Sequence, residues 1–375
     1  MSEFRSLRAC AVIGVVLAAA CSNDTTGPAT LTNPAATSSA LSSLDSAFAA
    51  PVISSFGALG ALMSPTGALA GAATVVDATR PRPLATGMSP EAAAAQHLGA
   101  LHRLATATPA NPQGPLVPDS LYGSIFTWDS ASAQYVRSQT TGGPANGVRF
   151  ILYAVNPLTG AIVYPLIEVG SADVLDESAG ASAKLHILVE DVAGTTTYLD
   201  YAATLTFGIG TVTAAVDGFV SNGAGGGANK TLNFDVSATL TPSSANVNAT
   251  FALNNPAITI VLIATASFAG ATETVTVDFT FTHPGETVRL QGSVTTTSSV
   301  VDTITAQIRV NGQVFATLEG NEQGVTFYDA NGDVIQDAGA QHDVLEALDH
   351  LREAVEDTLD FIEDLFDPIE NLLNG

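Results

Sequence analysis

Cysteine, lysine and aromatic side chains are scarce in this sequence, and each scarcity removes a class of explanation. Its two cysteines, Cys10 and Cys21, are too few for a disulfide framework and lack the spacing of a zinc site. Lysine occurs only at Lys184 and Lys230, and 36 acidic side chains against 12 basic ones leave a formal charge of −24. A nucleic acid approaching such a surface is repelled, so none is expected as a partner. Aromatics form 6% of the 375 residues, too lean for the two interfacial girdles of a membrane-spanning barrel. What the chain does have is length enough for a substantial core, many threonines and glycines, and long stretches of alternating polarity.

The first residues, MSEFRSLRACAVIGVVLAAAC, place Arg5 and Arg8 ahead of an uncharged apolar run that ends in small residues at Cys21. The run is short for a membrane span and has the form of a secretory signal peptide covering residues 1 to 20. The segment LAAAC resembles the lipobox of bacterial lipoproteins. That resemblance implies cleavage before Cys21, lipidation of its thiol with diacylglycerol, and acylation, palmitate among the possible chains, of the new amino group. It departs from the commonest pattern in having Ala18, not Leu, three residues before the cysteine, and Ala18 with Ala20 also fits an ordinary signal-peptidase site. Ser22 stands where an inner-membrane retention signal usually has Asp, so the resemblance implies the outer membrane. Removal of the leader would leave Cys21 as the sole thiol.

Residues 21 to 43 then form the lipidated Cys and a flexible tether of Ser, Thr, Ala and Pro. A helical region is expected over 44 to 107. It opens with Leu44, Phe48, Val52, Phe56, Leu59 and Met63 at helical spacing interrupted at Pro51, and contains a capped helix from Ser89. The uncharged stretch from Ser46 to Val76, with its GALAG motif, also admits a second span, weakened by Pro51 and Pro65. A proline-rich boundary at 108 to 119 closes this region.

From 120 to 337 the period becomes two. Segments such as ETVTVDFTFTH and ETVRLQGSVTTT alternate strictly, AITIVLIATASF reads as another strand, and short turns such as HPGE, FAGA and VNGQ separate such strands. Eleven strands are legible. Their short connections predict an antiparallel, up-and-down sheet, long-stranded and therefore curved into a half-barrel or barrel, in a mainly β (α+β) fold. The apolar face then needs a filler. Residues 341 to 374 are the candidate: Val344, Leu348, Leu351, Val355, Ile362, Leu365, Ile369 and Leu372 form a stripe on a helix whose remaining positions carry eleven carboxylates and Arg352.

Candidate chemistry is thin. The loop GAGGGANKT at 223 to 231 touches two phosphate motifs, but both need a helix to follow and a strand follows here. FYDANGDVIQDA places Asp329, Asn331, Asp333 and Asp337 like a calcium loop, with Val334 where Gly is required and Ala340 where Glu is required, so a hairpin turn is expected instead. The six histidines, His97, His102, His186, His283, His342 and His350, lack metal-ligand spacing, and no nucleophile elbow occurs. Asp176-Glu177 and Glu190-Asp191 read as solvated strand ends. No catalytic residue, cofactor or metal is therefore expected, and lipidation at Cys21 is the one site named. The expected function is a non-enzymatic, membrane-anchored envelope lipoprotein holding a lipid or other apolar ligand between sheet and helices. A structural or adhesive lipoprotein with a self-filled core, and an integral outer-membrane barrel, stand as alternatives.

Overall fold

A computed structural model describes residues 50–59, 115–298, 300–321 and 323–334. The leader, Cys21, the tether, the helix expected from Ser89 and the stripe at 341 to 374 lie outside the described residues. Among the described residues no helix is long and apolar enough to cross a membrane.

Contacts divide the chain into two compact units. The first holds helix α1 (Pro51–Leu59) and strands β1 (Ser124–Asp129), β2 (Gln134–Thr141), β3 (Gly147–Tyr153), β4 (Glu168–Asp176), β5 (Ser182–Glu190), β6 (Thr197–Gly208) and β7 (Thr211–Ser221). The boundary falls within β8 (Thr231–Leu240). The second holds β9 (Ser244–Leu253), β10 (Ile258–Ala269), β11 (Thr272–His283), β12 (Glu286–Thr297), β13 (Val300–Val310), β14 (Gln313–Asn321) and β15 (Gly324–Asp329).

The fifteen strands are hydrogen-bonded in sequence order from β15 back to β3, and then come β1 and β2. The up-and-down antiparallel sheet expected from the short turns is thus present, with more strands than the alternation alone revealed. β1, β2, β4 and β15 escaped because they are short or poorly alternating. In β2 only Tyr135 is buried, and β4 contributes EVGSADVLD, with few bulky apolar groups. One pairing departs from the expected pattern. β1 and β3 run parallel, with Phe126 opposite Phe150, because the β1–β2 hairpin folds outward and the chain returns on the other side of β1.

Closure into a barrel is not found: the order begins at β2 and finishes at β15. β15 is short, and β2 is largely polar and exposed, which is how sheets blunt an edge that does not close.

In the first unit the apolar face is sealed. Val148, Leu152, Val174, Leu185, Ile187, Val189 and Leu199 have no exposure at all. The filler is α1, which packs against β3, β4, β5 and β6. Pro51 was read as an interruption, but it opens this helix, where its fixed φ is suited and its missing N–H costs nothing. Val52, Ile53, Phe56 and Leu59 turn toward the sheet, and buried Ser55 donates to the Pro51 carbonyl at 3.0 Å. Nine residues cannot hold a helix alone, so burial of these side chains, about 1.5–3 kcal/mol each, keeps it formed.

Gly170 makes room for the helix. A Cβ there would lie 2.7 Å from Val52 Cγ2 and 2.1 Å from the Glu190 carbonyl oxygen. On the other face, Arg149 grips its cross-strand partner Asp173 through Nε and Nη2, both at 2.6 Å.

Urea unfolding followed by fluorescence of the single tryptophan, Trp128, reads this unit. Phe56→Ala is expected to cost about 3–5 kcal/mol by opening the helix–sheet core. Gly170→Ala is expected to cost about 1–3 kcal/mol by overpacking against Val52 and β5. An unchanged midpoint in both would show that α1 is not what seals this face.

Candidate functional site

The second unit builds its apolar face differently. Two-residue turns, Pro284-Gly285 between β11 and β12 and Asn311-Gly312 between β13 and β14, fix the register so that like faces align. Rows then run across the strands: Phe251–Ile260–Phe281–Val288–Val310, Ala249–Leu262–Phe279–Leu290–Ile308, Val247–Ala264–Val277–Gly292–Ala306 and Ala245–Ala266–Val275–Val294–Ile304.

These rows are not uniformly filled. On β9 and β10 the small side chains of Ala245, Ala249, Ala264 and Ala266 cluster, and on β12 Gly292 adds no side chain to the face, β13 lying so close that a Cβ there would stand 2.8 Å from Ala306 Cβ. Around them Val247, Leu262, Val277 and Phe279 are only half-buried, whereas Ile260, Phe281, Leu290 and Ile308 are buried. The result is an apolar patch with a low floor of alanines, bordered by buried side chains on its β12–β13 side.

Titratable groups stand at both ends of the same face. Glu273 is 5% exposed, lies between Phe268 and Thr296 across the ladder, and has no hydrogen-bond partner for either carboxyl oxygen. Burial pushes its pKa up to about 7, so below neutrality it is mostly protonated and can donate a hydrogen bond. At the other end His283 Nε2 lies 3.5 Å from Glu286 Oε2, with the ring centroid 5.4 Å from that of Phe281. An apolar ligand with a polar end would find apolar contact in the middle and a hydrogen-bonding group at Glu273.

The sequence motifs resolve into structural duties. GAGGGANKT is a hairpin loop with one short turn at Gly226–Ala228, followed by β8 as expected. Its Asn222 side chain accepts from Lys230 N at 3.1 Å, tying the loop shut. Asp329 accepts from Asn331 N at 2.8 Å and Asp333 N at 2.9 Å, so the calcium-like segment is a turn whose leading carboxylate serves its own backbone. The backbone bond from Asp333, the largest influence, holds its pKa low. Asp337 and Ala340 lie outside the described residues.

Asp176 accepts from Leu116 N at 2.6 Å and Ser178 N at 3.0 Å, and Asp191 caps Thr195. Of the histidines, His97, His102, His342 and His350 lie outside the described residues. The sequence shows His186 only as lacking metal-ligand spacing, and the ladder places it between two carboxylates: Nδ1 is 2.9 Å from Glu177 and Nε2 is 2.8 Å from Asp200, while Lys184 also holds Glu177. Burial alone would lower its pKa, but the two carboxylates raise it overall, and both ring nitrogens are engaged. Among the described residues no group of His, Cys, Asp or Glu could hold a metal.

Glu273 was missed in the sequence, although its signal was present: it shares parity with Val275, Val277, Phe279 and Phe281 and therefore faces inward. The alanine floor left no such mark, because it is assembled from two strands only after their register is known. Compared with family models, with curated proteins and with solved structures, the chain matches none.

Glu273 also makes stability depend on pH. Its folded pKa exceeds its ordinary 4.5, so folding is most favourable below that value and weakens as pH rises through about 7. Glu273→Gln is expected to flatten the loss between pH 5 and pH 8 and to raise stability at pH 8 by about 1–3 kcal/mol. Urea midpoints at the two pH values check this, and parallel pH profiles for both proteins would contradict it.

Proposed function

We infer that this chain is an exported, non-enzymatic lipoprotein of the bacterial envelope, anchored in the outer membrane through Cys21, whose second unit holds a lipid or other apolar ligand. The observation that carries the ligand is the half-buried apolar patch around Leu262, Val277 and Phe279, which borders buried side chains on β12 and β13. Leaving such side chains partly wet forgoes about a kcal/mol or more apiece, which an apolar ligand would recover. The anchor rests on the LAAAC segment and on the single cysteine at the start of the processed chain.

A self-filled structural or adhesive lipoprotein is the second reading. The first unit, sealed by its own helix, favours it. A spanning barrel requires every strand to be paired on both sides, and an order that starts at β2 and finishes at β15 argues against it.

The protein purified without detergent is extracted with organic solvent and the extract examined by mass spectrometry. About one apolar molecule per chain is expected, and Ala264→Phe, which fills the alanine floor, is expected to reduce it several-fold without loss of folding. A clean extract from the wild type would favour the self-filled reading. Mass spectrometry of the N-terminal peptide from the membrane fraction is expected to show acylated Cys21, and an unmodified thiol there would remove the anchor.

A further inference from the structure

The polar face of the second unit holds a feature that the apolar patch does not explain. Arg289 on β12 and Arg309 on β13 are direct cross-strand partners. Like charges so placed repel, and in a chain with only 12 basic side chains the pairing is conspicuous. Arg289 is compensated: its Nε donates to Asp278 Oδ1 at 2.9 Å, its Nη2 donates to Oδ2, and Gln291 Nε2 donates to the same oxygen at 3.0 Å.

Arg309 is not compensated. Its Nε donates to Gln307 Oε1 at 2.8 Å and its Nη1 to the Gly312 carbonyl at 3.0 Å, both neutral acceptors. These bonds aim the guanidinium without cancelling its charge. Between the two arginines opens a groove of about 470 Å³ lined by Thr280, Thr287, Arg289, Gln291, Arg309 and Gly312.

The groove is rich in donors and poor in acceptors. Each guanidinium has committed only part of its fork, the hydroxyls of Thr280 and Thr287 can donate, that of Thr287 lying 3.4 Å from Thr282 Oγ1, and the Asp278 carboxylate already accepts three hydrogen bonds from Arg289 and Gln291. Asp278 and the two arginines together leave one positive charge within a strongly acidic protein. The missing partner is an oxyanion.

A carboxylate is planar and is satisfied by one guanidinium fork, whereas a tetrahedral phosphate presents oxygens to two forks and to hydroxyls at once. We propose that this groove binds a phosphate group, with Arg309 as its principal charge, Arg289 as the second fork, and Thr280 and Thr287 as hydroxyl donors. The site lies on the opposite side of the sheet from the apolar patch and does not depend on the ligand reading.

Calorimetric titration of the full chain at low salt with inorganic phosphate and with glycerol 3-phosphate tests it. Saturable binding is expected, weakened about tenfold or more in Arg309→Gln and by a smaller factor in Arg309→Lys, which keeps the charge and loses the fork. Tighter binding of glycerol 3-phosphate would assign the group to a lipid headgroup or another organic phosphate, and tighter binding of inorganic phosphate to the free ion. A phosphate-induced rise in the wild-type melting temperature gives a readout that needs no variant. Failure of both phosphates to bind saturably, acetate competing as well as phosphate, or unchanged affinity in Arg309→Gln would each overturn the proposal.

Discussion

Everything in this molecule depends on the two-residue repeat of a β-strand, which sends neighbouring side chains to opposite faces. Once the short turns lock adjacent strands in register, each face becomes a continuous surface of one character. Threonine, aspartate and arginine meet water on one side, and valine, leucine and phenylalanine must be covered on the other. A slip of one residue would exchange the two sides, so register is where most of the specificity of the fold resides.

The two units meet the same demand by different means. In the first, a nine-residue helix beginning at a proline supplies Val52, Ile53, Phe56 and Leu59, and the core side chains beneath it, such as Leu152, Val174 and Ile187, lose all contact with solvent. In the second, alanines on β9 and β10 and a glycine on β12 keep the floor low, and the surrounding leucine, valines and phenylalanine stay half-buried. The first arrangement favours rigidity. The second leaves apolar surface that another molecule can complete.

Much of the fold was legible because long, strictly alternating strands such as β10 to β13 announce themselves, and because Asn-Gly and Pro-Gly dipeptides mark tight turns. The strands that stayed hidden are short or do not alternate: β1 has six residues, in β4 the run VGSAD offers no bulky inward series, and in β2 only Tyr135 turns inward. The site was less legible. Glu273 could be placed inward by parity, but the clamp on His186 joins residues 177, 186 and 200, and the arginine pair joins 289 and 309. Such juxtapositions arise from pairing between segments and leave no local pattern in the chain.

Because nearly every strand pairs with its immediate successor, most of the ladder is built from contacts close in sequence, which favours rapid zipping from one hairpin to the next. Damage in a ladder of this kind tends to remain where it occurs, since each rung leans chiefly on its neighbours. The parallel contact of β1 with β3 is the exception, for β1 must wait until the chain has passed through β2 and come back. That corner of the sheet is the natural place for assembly to hesitate.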